Sequence, residues 1–229
     1  MATLFEYARI AIAVYKQDDD GAAGKTHLGS GDFMLANLLQ SGAGEWACRF
    51  WQSGTASNGF QGAILENADE VVVAYKGSKT GITGKQDWLV SDLQIALGRI
   101  PNQAHSASEI VEVAQRCIPN KPLSIVGHSL GGGLAQLIGY IRGVPFVTFN
   151  GPGMKSIAEK TSPPGGPIRG FNMIMLSDPV GNFGRHIGKT ERFRAKFFSK
   201  TFAHLMTQCV GALERCPEWG NKTLDELVG

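Results

Sequence analysis

Apolar residues recur at helical spacing over 4–15, within MATLFEYARIAIAVYK, and more weakly over 32–39. That pattern predicts an amphipathic first helix and a weaker second one. Two segments of strand character follow, WACRFWQ at 46–52 and GFQGAIL at 59–65. EVVVAY at 70–75 is different in kind. It is a continuous β-branched run, the pattern of a strand buried on both faces. Ala104, Ala107, Ile110, Val111, Ala114, Cys117 and Ile118 then line one face of a helix over 104–118. LSIV (123–126) reads as a strand leading into another helix, and PFVTFN (145–150) and NMIMLS (172–177) read as two further buried strands. Strand alternating with helix at these lengths predicts a mostly parallel sheet flanked by helices.

Composition narrows the function classes. At 229 residues one sizeable core is expected, so the chain reads as a single domain over 1–229, and TSPPGGP at 161–167 is a surface loop. A net charge of +2 leaves no nucleic-acid footprint at the level of the whole chain. No apolar run approaches the ~18 residues of a transmembrane helix. The N-terminal stretch lacks a preceding Lys or Arg, is interrupted by Glu6 and Arg9, and is followed by no A-x-A site. The expectation is a chain without a Sec signal, cytoplasmic or exported by a signal-independent route. Cys48, Cys117, Cys209 and Cys216 form no C-x-x-C and no Cys/His ligand spacing, which favours buried free thiols and implies no metal. A Cys209–Cys216 disulfide stays open for an oxidising compartment. GAAGKT at 21–26 imitates a phosphate loop, but the Walker pattern needs glycine at Asp19 and a preceding strand.

The stretch SIVGHSLGGGLAQLIGY at 124–140 carries the chemistry. Gly131, Gly132 and Gly133 each cost a helix about 1 kcal/mol relative to alanine, so something other than helix stability selects them. Gly127-His128-Ser129-Leu130-Gly131 is a G-x-S-x-G placed between a buried strand and a helix. A turn that tight holds the serine in strained backbone geometry, and Cβ atoms two residues before and after it would collide. The pattern alone is weak in a chain with 30 glycines; its strand-to-helix context gives it weight. The helix N-terminus would add N–H groups and a positive dipole end beside Ser129.

GHSLGGGLA, preceded by VVVAYKGS and DWLVSDL and followed by VTFNGPG and SDPVG, resembles the fungal-type (class 3) lipases, an α/β-hydrolase family. The resemblance runs from about Val71 to Cys209 and implies an α/β-hydrolase fold and a Ser-Asp-His triad. The chain departs from the family in the short interval between its aspartate motif and last histidine. It also carries Lys76 where arginine is more usual.

A serine nucleophile needs a base, and the base an orienting acid, in the order Ser, Asp, His for this fold. Asp178 directly follows the strand NMIMLS and matches the family's D-x-V motif; a turn or capping role is its alternative. Five histidines compete for the base. His27 and His105 precede the serine, and His128 adjoins it and should point away. His186 follows Asp178 closely and resembles a non-catalytic H-x-G segment, whereas His204, in FAHLMTQCVG, opens an amphipathic stretch and resembles the family's final catalytic histidine. The oxyanion hole is expected from the Leu130 amide and, by resemblance, from Ser78. By resemblance too, the region between Ser78 and 104 is a lid with Trp88 and Leu89 over the site, or else a fixed surface helix.

The resulting expectation is a serine ester hydrolase, a lipase or phospholipase, acting on lipid or other esters without a cofactor. Its rivals are a partner-binding protein on the same fold and an amidase or peptidase using the same triad. A leaderless lipase of this size also fits a toxin delivered to a rival cell. Arg185, Lys189, Arg192, Arg194, Lys196 and Lys200 stand against one acid, Glu191, between 185 and 200. That segment is either an anionic-lipid contact or a solvated basic face.

Overall fold

A computed structural model describes residues 1–16, 27–28, 46–52, 58–77, 88–195 and 203–229. Among them eight strands lie side by side in chain order: β1 (His27–Leu28), β2 (Ala47–Gln52), β3 (Gly62–Glu66), β4 (Val71–Tyr75), β5 (Leu123–His128), β6 (Phe146–Phe149), β7 (Gly170–Met175) and β8 (Lys189–Phe193). β1 to β4 pair antiparallel. From β4 to β8 every pairing is parallel. The helices among the described residues are α1 (Leu4–Lys16), α2 (Trp88–Cys117), α3 (Leu130–Arg142), α4 (Lys155–Thr161), α5 (Met206–Arg215), α6 (Pro217–Gly220) and α7 (Leu224–Val228).

Alternation along the parallel strands builds two cores, one on each face. Val71, Val73 and Tyr75 of β4, Ile125 of β5 and Phe146 of β6 pack against Ala107, Ile110, Val111, Leu134, Leu137 and Ile138 of α2 and α3. Val72, Ala74, Val126, Val147 and Phe149 point the other way, onto Tyr7, Ile10 and Val14 of α1 and Cys209, Ala212 and Leu213 of α5. The layering follows from connectivity. Crossovers of one hand between strands that advance one place at a time deliver their helices to one face. The opposite face is left to the two ends of the chain, tied together by Leu4 N–H donating to Lys222 C=O at 2.8 Å. Both faces of β4 are therefore dry, as its apolar run implied, and each large side chain buried there contributes about 1.5–3 kcal/mol.

Two expectations change. The helix expected over 104–118 begins at Trp88 and passes through Pro101 without a break. Proline forfeits one backbone bond there, but Ile100, Ala107, Ile110, Val111 and Ala114 bury one continuous stripe. The cysteines are not all buried: Cys48 and Cys209 are, whereas Cys117 is exposed and Cys216 half-buried, and all four are free thiols. Cys209 and Cys216 are separated by two turns of α5, roughly 10 Å along its axis, beyond the roughly 7 Å Cα limit of a disulfide. The weaker helix expected over 32–39 lies outside the described residues.

Candidate active site

β5 delivers Ser129 to the carboxyl edge of the sheet, and α3 leaves at once with Leu130. Ser129 has φ 58° and ψ −129°, a conformation that L-residues rarely adopt, and its side chain does not cap the helix it precedes. Such strain costs of order 1–3 kcal/mol and persists only where the surroundings enforce it. Here they do. A Cβ on Gly127 would fall 2.2 Å from the Gly131 carbonyl oxygen, and one on Gly131 would fall 2.3 Å from the Tyr75 carbonyl oxygen. These two glycines let α3 pack directly on β4 and β5 while Ser129 Oγ projects from the edge. The turn is fixed by Ser129 N–H donating to Phe149 C=O at 3.1 Å, and by Gly132 and Gly133 N–H donating to Ser129 C=O at 2.9 and 3.1 Å.

The loop after β7 and the segment before α5 bring two more groups to Oγ. His204 Nε2 lies 2.8 Å from Ser129 Oγ, and His204 Nδ1 lies 3.0 Å from Asp178 Oδ1. Asp178 is fully buried. Its Oδ2 accepts the Gly181 amide at 2.8 Å and its Oδ1 also accepts the Val180 amide at 3.2 Å, so the carboxylate cannot rotate away from the imidazole. Because a carboxylate only accepts, His204 carries its proton on Nδ1 and turns the Nε2 lone pair toward the serine hydroxyl. The arrangement can remove a proton from Ser129 and stabilise the resulting imidazolium.

Behind the serine a second set of polar groups fixes the His204 backbone. His128 points away from Ser129, as expected from their adjacency, and its Nε2–H donates to the His204 carbonyl at 2.7 Å. Tyr15 of α1 donates its hydroxyl to His128 Nδ1 at 3.0 Å and accepts the Gly77 amide at 3.0 Å. Burial pushes the His128 pKa down to about 3, with the neighbouring His204 acting in the same direction, so the ring is neutral. Asn150, held at φ 48°, donates to Ala203 C=O at 2.9 Å and His204 C=O at 3.3 Å and accepts the Met175 amide at 2.8 Å. Neither Tyr15 nor Asn150 was singled out from the sequence. Their only signals were an aromatic in the first helix and the asparagine of VTFNGPG.

The other expected positions divide. His186 does not join the serine: its Nε2–H donates to Gly181 C=O at 2.8 Å and its Nδ1 accepts from Gln136 at 3.3 Å. Burial lowers its pKa, so it serves as a neutral strut under the Asp178 loop. His105 is exposed on α2 beside Glu109. Leu130 is the first residue of α3, so its amide has no acceptor within the helix. Ser78 lies outside the described residues. Its neighbour Gly77 is so close to the elbow that an added Cβ would sit 3.0 Å from Ser129 Cβ. Trp88 and Leu89 begin α2, and their side chains lie outside the described residues.

A strained serine at the carboxyl end of a central parallel strand, ahead of a helix, is the mark of the α/β-hydrolases. Solved lipases share this architecture. A fungal lipase superposes with a TM-score of 0.57 at 16% identity, covering 90% of this chain and 83% of its own. The Rhizomucor miehei lipase, in its propeptide complex, gives 0.53 at 14% identity over 82% and 67%. The chain has the α/β-hydrolase fold in its fungal-lipase form. Residues 6–164 match the Tle-like phospholipase domain, and the chain belongs to that family. It is also similar to the extracellular phospholipase A1 of Serratia liquefaciens, 31% identical over 150 residues, which are 66% of this chain and 42% of that protein. The chain spans less than half the length of the curated relatives it matches. The family match includes Tyr15 and Ser129 and ends before Asp178 and His204.

Proposed function

We propose that the protein is a serine ester hydrolase that cleaves carboxylic esters of lipids, a lipase or phospholipase. Ser129 is the nucleophile, His204 the general base and then acid, and Asp178 the group that orients and stabilises the imidazolium. The observation that carries this reading is the unbroken line Asp178–His204–Ser129, with steps of 3.0 and 2.8 Å, at the tip of a strained serine turn. Membership of the phospholipase-like family and similarity to a phospholipase A1 support the substrate class.

His204 Nε2 takes the hydroxyl proton as Ser129 Oγ adds to the ester carbonyl. The negative charge that develops on the carbonyl oxygen is met by the Leu130 amide, and the resemblance to fungal lipases assigns the matching donor to Ser78. Loss of one such donor costs about 10²–10³ in rate. His204 returns the proton to the leaving alcohol, an acyl-enzyme remains, and water enters by the same route to release the acid. As written, these steps draw on side chains and backbone amides alone. No helix among the described residues is long and apolar enough to cross a membrane.

The test is labelling by a fluorophosphonate, followed by hydrolysis of an ester chain-length series beside phospholipid vesicles. Stoichiometric modification at Ser129 and turnover of esters over the matching amides are expected. An unlabelled Ser129 in folded protein would overturn the reading in favour of a partner-binding role, and preferential turnover of amides would make it an amidase.

A further inference from the structure

The loop that carries Asp178 also displays two large apolar side chains to solvent. Leu176 is 49% exposed and Phe183 42% exposed, although both belong to a hydrogen-bonded shelf rather than a loose loop. Leu176 N–H donates to Phe193 C=O at 2.8 Å, Gly153 N–H to Phe183 C=O at 2.7 Å, and Lys155 N–H to Arg185 C=O at 2.8 Å. Asn182 knits the middle, donating to the carbonyls of Leu176 at 3.1 Å and Asp178 at 2.8 Å while its own oxygen accepts from Arg192 at 3.3 Å. Arg185 on the same loop, Arg192 in β8 and Arg194 just past it are all exposed. Among the described residues no carboxylate pairs with any of the three. Arg192 and Arg194 also line a groove of about 370 Å³, together with Glu191, Phe193, Ala212, Arg215 and Trp219.

We propose that this shelf is a docking surface for an anionic phospholipid bilayer, with Leu176 and Phe183 entering the acyl boundary and Arg185, Arg192 and Arg194 engaging lipid phosphates. The inference rests on the lipid-hydrolase reading and adds to it the surface on which the enzyme sits. Two features select a bilayer over a soluble anion or an acidic polypeptide. Exposed apolar side chains held rigid beside the site are unfavourable in water and gain by insertion to a depth of about 5–10 Å. Exposed arginines stand on the same loop and on the adjoining strand, a pairing of charge with apolar surface of the kind met at a lipid headgroup layer. The geometry also has a consequence for turnover. Asp178, Leu176, Phe183 and Arg185 share one braced loop, to which Arg192 of β8 is tied through Asn182, so docking holds the carboxyl edge with Ser129 against the lipid.

The test separates binding from chemistry. The full chain carrying Ser129→Ala, which leaves vesicles intact, is floated with phosphatidylglycerol or phosphatidylcholine vesicles. Binding to the anionic vesicles alone is expected, with release in 1 M salt, where the Debye length is about 3 Å. Each arginine near such a surface contributes about five-fold in affinity, so Arg185→Gln with Arg194→Gln should weaken binding about 30-fold, and Lys at both positions should restore it. Leu176→Ser with Phe183→Ser should weaken it independently of salt. In the Ser129 background both pairs of substitutions should still turn over a soluble short-chain ester, which reports the fold. Equal binding to both vesicle types, or none, would overturn the docking surface while leaving fluorophosphonate labelling of Ser129 untouched. Polyglutamate competing as well as anionic vesicles, with no effect of the Leu176 and Phe183 changes, would overturn it in favour of an acidic polypeptide partner. Inorganic phosphate abolishing vesicle binding at millimolar concentration would overturn it in favour of a free-anion site.

Discussion

Tyr15→Phe removes one oxygen, and that oxygen closes a relay behind Ser129, the proposed nucleophile. The direction of every bond in the relay is forced. The His204 carbonyl can only accept, so His128 must hold its proton on Nε2, 2.7 Å away. His128 Nδ1 is then bare and takes the Tyr15 hydroxyl proton at 3.0 Å, which leaves a lone pair of that hydroxyl for the Gly77 amide at 3.0 Å. Burial raises the Tyr15 phenol above its ordinary range, so it remains a donor at every working pH. Phenylalanine leaves the Gly77 N–H and His128 Nδ1 unpaired together. An unsatisfied buried group costs about 1–3 kcal/mol, so a stability loss of about 2–4 kcal/mol is expected once partial relaxation is allowed. At this chain length 1 kcal/mol moves Tm by about 2–4 °C, which places the fall in Tm between roughly 4 and 16 °C.

The rate should fall as well, because the bare nitrogen releases His128 to change tautomer. With Nδ1 protonated, Nε2 would present a lone pair to the His204 carbonyl and repel it. A shift of the base by about 1 Å costs on the order of 10² in rate. The assay is kcat and KM for a soluble short-chain ester, measured beside thermal unfolding. A drop in kcat of about 10- to 100-fold with KM nearly constant is expected. A variant with kcat within about two-fold of the parent and an unchanged Tm would refute the relay.

Ser129→Ala should fold normally and lose activity by about 10⁶, as when other triads lose their nucleophile; retention of a tenth of the rate would exclude Ser129. His204→Ala should be comparably inactive in the same ester assay while His186→Ala, a strut under the Asp178 loop, keeps substantial turnover, and the reverse result would move the base to His186. Gly127→Ala should fail to accumulate as soluble protein, because its Cβ would lie 2.2 Å from the Gly131 carbonyl oxygen; a soluble, active variant would contradict the close packing of the elbow. Acid stability carries a sign that His128 sets. Its pKa is about 3 folded and about 6.5 unfolded, so between those values the unfolded chain binds the extra proton. Stability should therefore be intact above about pH 6.5 and fall with acidification by about 1.4 kcal/mol per pH unit until pH approaches 3. Denaturant titrations from pH 7 to 4 should show His128→Asn with a slope smaller by one proton, and an unchanged slope would remove His128 from the account.

What the sequence made legible was local. Ser129 was readable because its glycines sit within a few residues of it, and Asp178 because it directly follows an apolar strand. His204 was readable because chain order in this fold leaves few histidines. Tyr15 was not, since its partner lies 113 residues away and meets it only because α1 crosses the sheet under β5. At helical spacing an apolar stripe ending in tyrosine reads as core, and most of α1 is core. Asn150 was hidden in the same way: an asparagine closing a strand reads as a turn residue, and its positive φ and its hold on Ala203 and His204 arise from tertiary packing. The start of α2 differs because the apolar spacing is read only from Ala104, while the helix runs back through Pro101 to Trp88 with Ile100 buried. The residues of the proposed triad are thus written in short motifs, and those that hold them in place are written in the packing. One consequence concerns the extent of the catalytic unit. The motifs shared with fungal lipases begin near Val71, yet α1 both covers one face of the sheet and supplies the hydroxyl that orients His128. A chain beginning at β4 would keep every residue of the Ser-Asp-His line and lose what positions it.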